Sequence, residues 1–306
     1  MVPLFVALLL TATGCLPEAA PAETPSRQDG GWVMIPPTAI HQSGTMAHPR
    51  LAEASAAAVS RQLPGLLWTL NDSGNSPDLF LVDTTGALRA TLPIAGATNT
   101  DWEELALGPC PAGRCLYIAD TGDNLEQRSE VTLYRLTEPT LTAVTSGDLP
   151  PRSAEALSFR YPDGPHDVEA MAITPIGDAL LITKGRSGGV LLFRLPASAW
   201  GKGGTLAERV DSLPITPNAG MGRQVTGMAL SPDGLRLMVR TYRDLYPFAV
   251  NPNGTLRPLG RPTACDILGR EPQGEGIDWL DDQTLILTSE RGLMAAGTVF
   301  FVRCSV

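Results

Sequence analysis

Asp101-Trp102-Glu103-Glu104-Leu105-Ala106-Leu107, then Leu116-Tyr117-Ile118-Ala119 running into Asp120-Thr121-Gly122-Asp123-Asn124, then Val131-Thr132-Leu133-Tyr134-Arg135-Leu136, make one continuous stretch of the chain. Apolar, β-branched and aromatic runs of about five residues, bounded by Gly, Pro, Asp and Asn, are the signal of short strands joined by turns. The stretch therefore predicts three strands with an acidic start and an acidic knot.

The same unit recurs along the chain. First strands begin at Glu53, Glu103, Glu169, Thr226 and Glu275, each followed by small apolar residues. Second strands align as Leu67–Leu70, Leu116–Ala119, Leu180–Thr183, Leu237–Val239 and Leu285–Thr288, and third strands end in Leu79–Val82, Val131–Leu136, Val190–Leu195, Tyr246–Val250 and Val299–Arg303. A step of roughly 40 to 60 residues carrying three or four strands is a propeller blade. Outer fourth strands are expected at Ala87–Pro93, Ala156–Arg160 and Arg209–Leu213, but the last unit has too few residues for its own. An N-terminal strand, Trp32-Val33-Met34-Ile35, is expected to complete it and close the ring, removing an open edge. The fold class is thus an all-β, single β-propeller of five blades, with six as the alternative if Gly31 to Arg50 or a long third-to-fourth connection hides another. Trp68, Trp102 and Trp279 are expected to pack between blades.

Composition agrees. The 306 residues carry 31 Gly and 27 Pro, and 23 basic against 32 acidic residues give a net charge of −9. That balance argues against nucleic acid or an anionic membrane surface as partner, since clustered Lys and Arg supply such affinity. Residues 1–14 are almost wholly apolar, too short to span a bilayer and suited to a signal peptide. Ala12-Thr13-Gly14-Cys15 resembles a lipobox, with Cys15 lipidated; cleavage near Ala20-Pro21-Ala22 as a plain secretion signal is the alternative. Residues 15–30, rich in Pro, Ala, Glu, Thr and Ser, read as a flexible tether, leaving 31–306 for the propeller. The expected location is the cell envelope, as a monomer touching the membrane only through a lipid anchor.

Export makes the remaining cysteines informative. Cys110 and Cys115 bracket a tight turn, and Cys265 and Cys304 remain, so two disulfides are expected, free buried thiols being the alternative. Only His41, His48 and His166 exist to complete a zinc site, and the cysteine spacing is not a ligand pattern.

Equivalent repeat positions converge on a propeller axis. The first-strand starts offer Glu53, Glu103, Glu169, Thr226 and Glu275, and the second-strand ends Asp72, Asp120, Lys184, Arg240 and Glu290. Crowded carboxylates need protons, cationic side chains or a metal ion, and oxygen-only ligands point to calcium. Glu53, Asp72, Glu103, Asp120, Glu169 and Glu275 are the candidate ligands. Lys184, Arg186, Arg223, Arg240, Arg243 and Arg291 make the later blades basic, which suits an anionic ligand. His166, beside Asp167, is a candidate general base, with Lys184 and Arg240 as candidate catalytic cations. The same polar knots are also good turn sequences, and the glutamate ring also suits a purely structural pairing with Lys184 and Arg240. Gly185-Arg186-Ser187-Gly188-Gly189 matches a nucleophile-elbow pattern but lies between strands rather than on a strand-to-helix turn.

Asn71-Asp72-Ser73-Gly74-Asn75, Asp101 to Ala106, Asp120 to Asn124 and Tyr161-Pro162-Asp163-Gly164-Pro165-His166-Asp167-Val168-Glu169-Ala170 together resemble exported bacterial propellers of the phytase-like, esterase-like group. That resemblance covers about Leu51 to Val302 and implies a calcium site and phosphoester or ester hydrolysis. Thr226 departs from its glutamate series. A non-catalytic envelope propeller that binds a protein or glycan is the rival expectation, and a calcium-dependent lactonase the third.

Overall fold

Each repeat becomes an antiparallel sheet, and the five first strands contact one another around an axis. Residues 27–29, 31–140, 147–251, 253–292 and 295–305 are described by the computed structural model. The expected signal peptide and Cys15 lie outside them, as does most of the expected tether. From the axis outward, blade 1 holds Ala58–Val59, Leu66–Leu70, Asp78–Asp83 and Leu88–Ala95. Blade 2 holds Trp102–Cys110, Gly113–Asp120, Val131–Thr137 and Glu155–Arg160. Blade 3 holds Val168–Ile173, Ala179–Thr183, Val190–Leu195 and Glu208–Leu213. Blade 4 holds Val225–Leu230, Arg236–Thr241, Asp244–Val250 and Thr263–Asp266. Blade 5 holds Gln273–Trp279, Leu285–Glu290, Gly297–Arg303 and, from the other end of the chain, Ala39–Met46.

Turn chemistry fixes the hairpins. In Ser231-Pro232-Asp233-Gly234 the Asp233 carboxylate accepts from the Leu235 amide at 3.0 Å and from the Ser231 hydroxyl at 2.5 Å, while Gly234 adopts φ 74°. That conformation strains any residue with a Cβ. The hydrophobic core is not central but divided among the seams between neighbouring sheets. Trp68 and Trp102 share the seam of blades 1 and 2, and Trp279 lies between blades 4 and 5, all three almost wholly buried. Burying an aromatic side chain of this size contributes about 3–5 kcal/mol against its removal, so the seams hold the ring together.

The ring is closed by an N-terminal strand, though not by Trp32–Ile35. Ala39–Met46 pairs antiparallel with Gly297–Arg303, whereas Trp32–Ile35 runs parallel to Thr263–Asp266 on the outside of blade 4. Trp32 decides this, because its ring stacks edge-on against Tyr246 at 5.1 Å and Phe248 at 5.4 Å and its indole N–H donates to Pro214 O at 2.7 Å. Arg27–Asp29, within the expected tether, adds one more strand to that edge. Gly31 to Arg50 thus extends two existing blades, and part of the long connection in blade 2 runs parallel to the outer strand of blade 1, so the described residues form five blades. Cys110–Cys115 ties the first hairpin of blade 2, and Cys265–Cys304 ties blade 4 to the end of blade 5.

Candidate functional site

Four of the five innermost strands break register at the same point. Pairing jumps from Trp102↔Asp120 to Glu104↔Ala119, from Val168↔Thr183 to Ala170↔Ile182, from Val225↔Thr241 to Gly227↔Arg240, and from Gly274↔Ser289 to Ile277↔Leu287. A bulge of this kind re-aims a side chain. The residues set free are Glu103, Glu169, Thr226 and Glu275, all nearly buried. In blade 1 the bridge Ala54↔Asn71 puts Ser55, not Glu53, in that place. Glu53 belongs one tier outward and is exposed, its carboxylate accepting from Asn75 Nδ2 at 2.6 Å.

Apart from Glu53, that outer tier holds the acidic groups the sequence reading missed. Backbone bonds from Asp72 N to Glu53 O, Gly122 N to Asp101 O and Lys184 N to Asp167 O mark Glu53, Asp101 and Asp167 as equivalents. Register puts Gln224 and Gln273 in the same place in blades 4 and 5. The signal was an acid or amide two residues before each bulge position: Glu53-Ala54-Ser55, Asp101-Trp102-Glu103, Asp167-Val168-Glu169, Gln224-Val225-Thr226, Gln273-Gly274-Glu275.

Two clusters result. Carboxylate oxygens of Asp72, Asp101 and Glu103 lie within 4.8 Å of one another, and so do those of Glu103, Asp167 and Glu169. The second cluster carries its own counter-ions: Lys184 Nζ sits 2.5 Å from Glu169 Oε1, and Arg186 pairs with Asp167. Among the described residues, no cationic side chain forms an ion pair with the first cluster. Gly122 lies against it so closely that a Cβ there would fall 2.2 Å from Glu103 Oε1 and 2.6 Å from Asp101 Oδ2. In blade 5, Glu275 accepts from Gln273 Nε2 at 3.1 Å through one oxygen, while its other oxygen is buried without a hydrogen-bond partner.

Charge crowding shows in the ionisation. Burial, then the Asp72 and Asp167 charges, push Asp101 up to about 6. Glu103 is raised well above the carboxylate range by burial and then by Glu169 and Asp72. Burial lifts Glu169 and Glu275 to about 8 against the pull of Lys184, and lifts Glu290 to about 7 with Asp72 and Glu53 adding to it. Burial opposes the Lys184 charge, but Glu169, Tyr242, Glu103 and Glu275 outweigh it and keep the ammonium protonated. At neutral pH the ring carboxyls therefore hold protons in common around a fixed cation, a state a divalent ion would relieve.

Several expected site residues are placed elsewhere. Register aligns Asp72, Thr121, Lys184, Tyr242 and Glu290 at the second-strand ends. Asp120 stands one residue short of that row, where it receives Arg128 Nη2 at 2.9 Å and the Asp101 amide at 3.0 Å. It braces the first cluster instead of joining it. Arg240 stands two short and is completely buried; its guanidinium donates to Gly276 O at 2.6 Å and to Glu271 at 2.5 Å. His166 packs against Tyr161 and Phe193 with Nε2 held by Asp163 at 2.8 Å, and it belongs to neither cluster. Of the expected basic arc, Arg223 and Arg243 lie beside Asp244 and Asp266, while Lys184 and Arg186 form ion pairs with Glu169 and Asp167 of the acidic mouth.

The far pole is different. A cavity of about 330 Å³ there is lined by Leu105, Met171, Met228, Ile277 and Arg61, among others. Between mouth and cavity, Glu104 reaches from blade 2 to blade 4, accepting from the Met228 amide at 3.2 Å as well as from Leu105 at 3.0 Å.

No protein-family model and no curated protein matches the chain. Among solved structures it is similar to the PQQ-bound aldose sugar dehydrogenase from Streptomyces coelicolor, with a TM-score of 0.48, 13% identity, and coverage of 88% of this chain and 99% of that one. The calcium-binding protein regucalcin from Agrobacterium tumefaciens gives 0.47, 13% identity, and 89% and 96% coverage. A streptogramin B lyase gives 0.43, 11% identity, and 85% and 72% coverage.

Proposed function

We propose that the chain is a divalent-cation-binding β-propeller, with calcium as the first candidate, whose mouth hydrolyses a small anionic ester, a phosphoester before others. One observation carries the reading: Asp72, Asp101 and Glu103 close on one another with no ion pair to them among the described residues and with Gly122 pressed against them. The donors suit a hard cation, because all are carboxylate oxygens and neither His nor Cys is among them. Bound there, calcium would polarise an ester or phosphoryl oxygen and offset its developing charge.

The chain's own groups supply the remainder. Arg186, half-buried at the rim and oriented by Asp167 and Asn124, is the accessible guanidinium for a phosphate or carboxylate oxygen. Glu290, at about 7, is poised to take a proton from attacking water near neutral pH. Two disulfides agree with work outside the cytoplasm, and anchoring through Cys15 belongs to the same proposal.

Calorimetry and thermal unfolding with calcium, run beside turnover of p-nitrophenyl phosphate, test this. Calcium should raise the Tm and support turnover, and Glu103→Gln should lose both. Stabilisation without turnover of any ester leaves the non-catalytic propeller that binds an envelope protein or glycan. No calcium effect on either readout sinks the metal site.

A further inference from the structure

The mouth already contains a cation of its own. Lys184 Nζ lies 2.5 Å from Glu169 Oε1 and 5.8 Å from the centre of the Tyr242 ring, with its side chain only 9% exposed. Glu103 and Glu275 are the next acidic groups whose charge it feels. These three glutamates occupy the bulge position of blades 2, 3 and 5, so a group that senses all three stands near the axis. The two clusters share Glu103 but differ in their counter-ions. Lys184 and Arg186 pair directly with the one that contains Asp167 and Glu169, while the one that contains Asp72 and Asp101 forms no ion pair among the described residues and feels Arg128 and Lys184 only at longer range. On the same inner ring, the second carboxylate oxygen of Glu275 is buried without a partner.

We infer that the Lys184 ammonium is a built-in occupant of the axial cation position, and that it confines a divalent ion to Asp72, Asp101 and Glu103 in the wall between blades 1 and 2. This rests on the cation-binding reading of the mouth and adds what sets its number and place. Two divalent ions sharing Glu103 would repel each other, and an ammonium fixed beside Glu169 repels the second before it enters. Without the ammonium, Glu103, Asp167 and Glu169 remain as hard oxygen donors within 4.8 Å of one another, and the unpartnered oxygen of Glu275 lies on the same inner ring. Lys184 is therefore the specificity-determining residue of the mouth: it makes a one-ion site from a ring with carboxylates enough for two.

Calcium stoichiometry of the full chain, by calorimetry with CaCl2 and by metal analysis after gel filtration, tests the inference. The wild type should bind one equivalent and Lys184→Met two, the added one at least ~10-fold tighter than any second binding to the wild type. Lys184→Arg, which keeps the charge, and the double variant Lys184→Met/Glu169→Gln, which removes both members of the pair, should stay at one. One equivalent of unchanged affinity in Lys184→Met overturns the inference, and so does a second equivalent in the wild type. No binding by the wild type with one equivalent in Lys184→Met overturns the proposed site at Asp72, Asp101 and Glu103 and supports the ammonium's placement; no binding in either overturns both. Should Lys184→Met fold only when calcium is present, while the double variant folds without it, the inference stands. Failure of Lys184→Met to fold even in calcium, with the double variant folded, counts against it.

Discussion

Gly122 shows how much of the mouth depends on one missing methyl group. Its place in Asp120-Thr121-Gly122-Asp123-Asn124 suggests only a turn, but its backbone torsion is not in the left-handed region; the requirement is close approach to Glu103 and Asp101. Gly122→Ala should push both carboxylates apart, weakening calcium at least ~10-fold in calorimetry, a change of about 1.4 kcal/mol. An unchanged affinity would mean that the cluster is not the site. At this scale the sequence was legible for Glu103, Glu169 and Glu275, whose bulges repeat, and for the seam tryptophans. It was misleading at Glu53, because blade 1 has no glutamate at the bulge and the eye takes the nearest one. Asp101 and Asp167 escaped notice because their side chains belong to the residues before a strand, and their convergence comes from the ring rather than from local spacing.

Among the elements, second and third strands were read nearly to their ends, since apolar runs buried on both faces have little else to be. Outermost strands were harder. Ala39–Met46 reads Ala-Ile-His-Gln-Ser-Gly-Thr-Met, with Met46 alone of the strand buried, and lacks the apolar pattern of a strand that faces a core. Trp32–Ile35, with two buried residues, looked the better candidate, and its tryptophan serves blade 4 instead. What fixes Ala39–Met46 is contact rather than composition: a Cβ on Gly44 would meet Thr85 O of blade 1 at 2.0 Å. Gly44→Val should accordingly loosen the closing strand, costing about 1–3 kcal/mol as overpacking does. Limited proteolysis should then cut near Ala39–Met46 before any inner strand; an uncut strand with an unchanged Tm would show that the contact is dispensable.

For the whole molecule, the buried acids tie stability to pH. In the folded chain Glu169 and Glu275 ionise near 8 and Asp101 near 6, against ordinary values of 4.5 and 3.8. Between those limits the folded state holds more protons than the unfolded one, so stability is fully present below the ordinary values and is lost as pH rises through 6 to 8. Asp83, Asp163, Asp233 and Asp281 are shifted the other way and act only in more acid solution. Thermal unfolding in chelator should thus give a Tm that falls from about pH 5 toward pH 8, with calcium flattening the slope; a Tm that climbs over that interval would contradict the protonated ring. The closing strand also sets a schedule. Ala39–Met46 leaves the ribosome before blades 1 to 4 and its partner Gly297–Arg303 only after them, so a growing chain holds four complete blades at most and keeps one unpaired edge until Gly297–Arg303 has been made. Until that moment the open edge can take any other strand that reaches it, and the clasp shuts only once both ends of the ring are present.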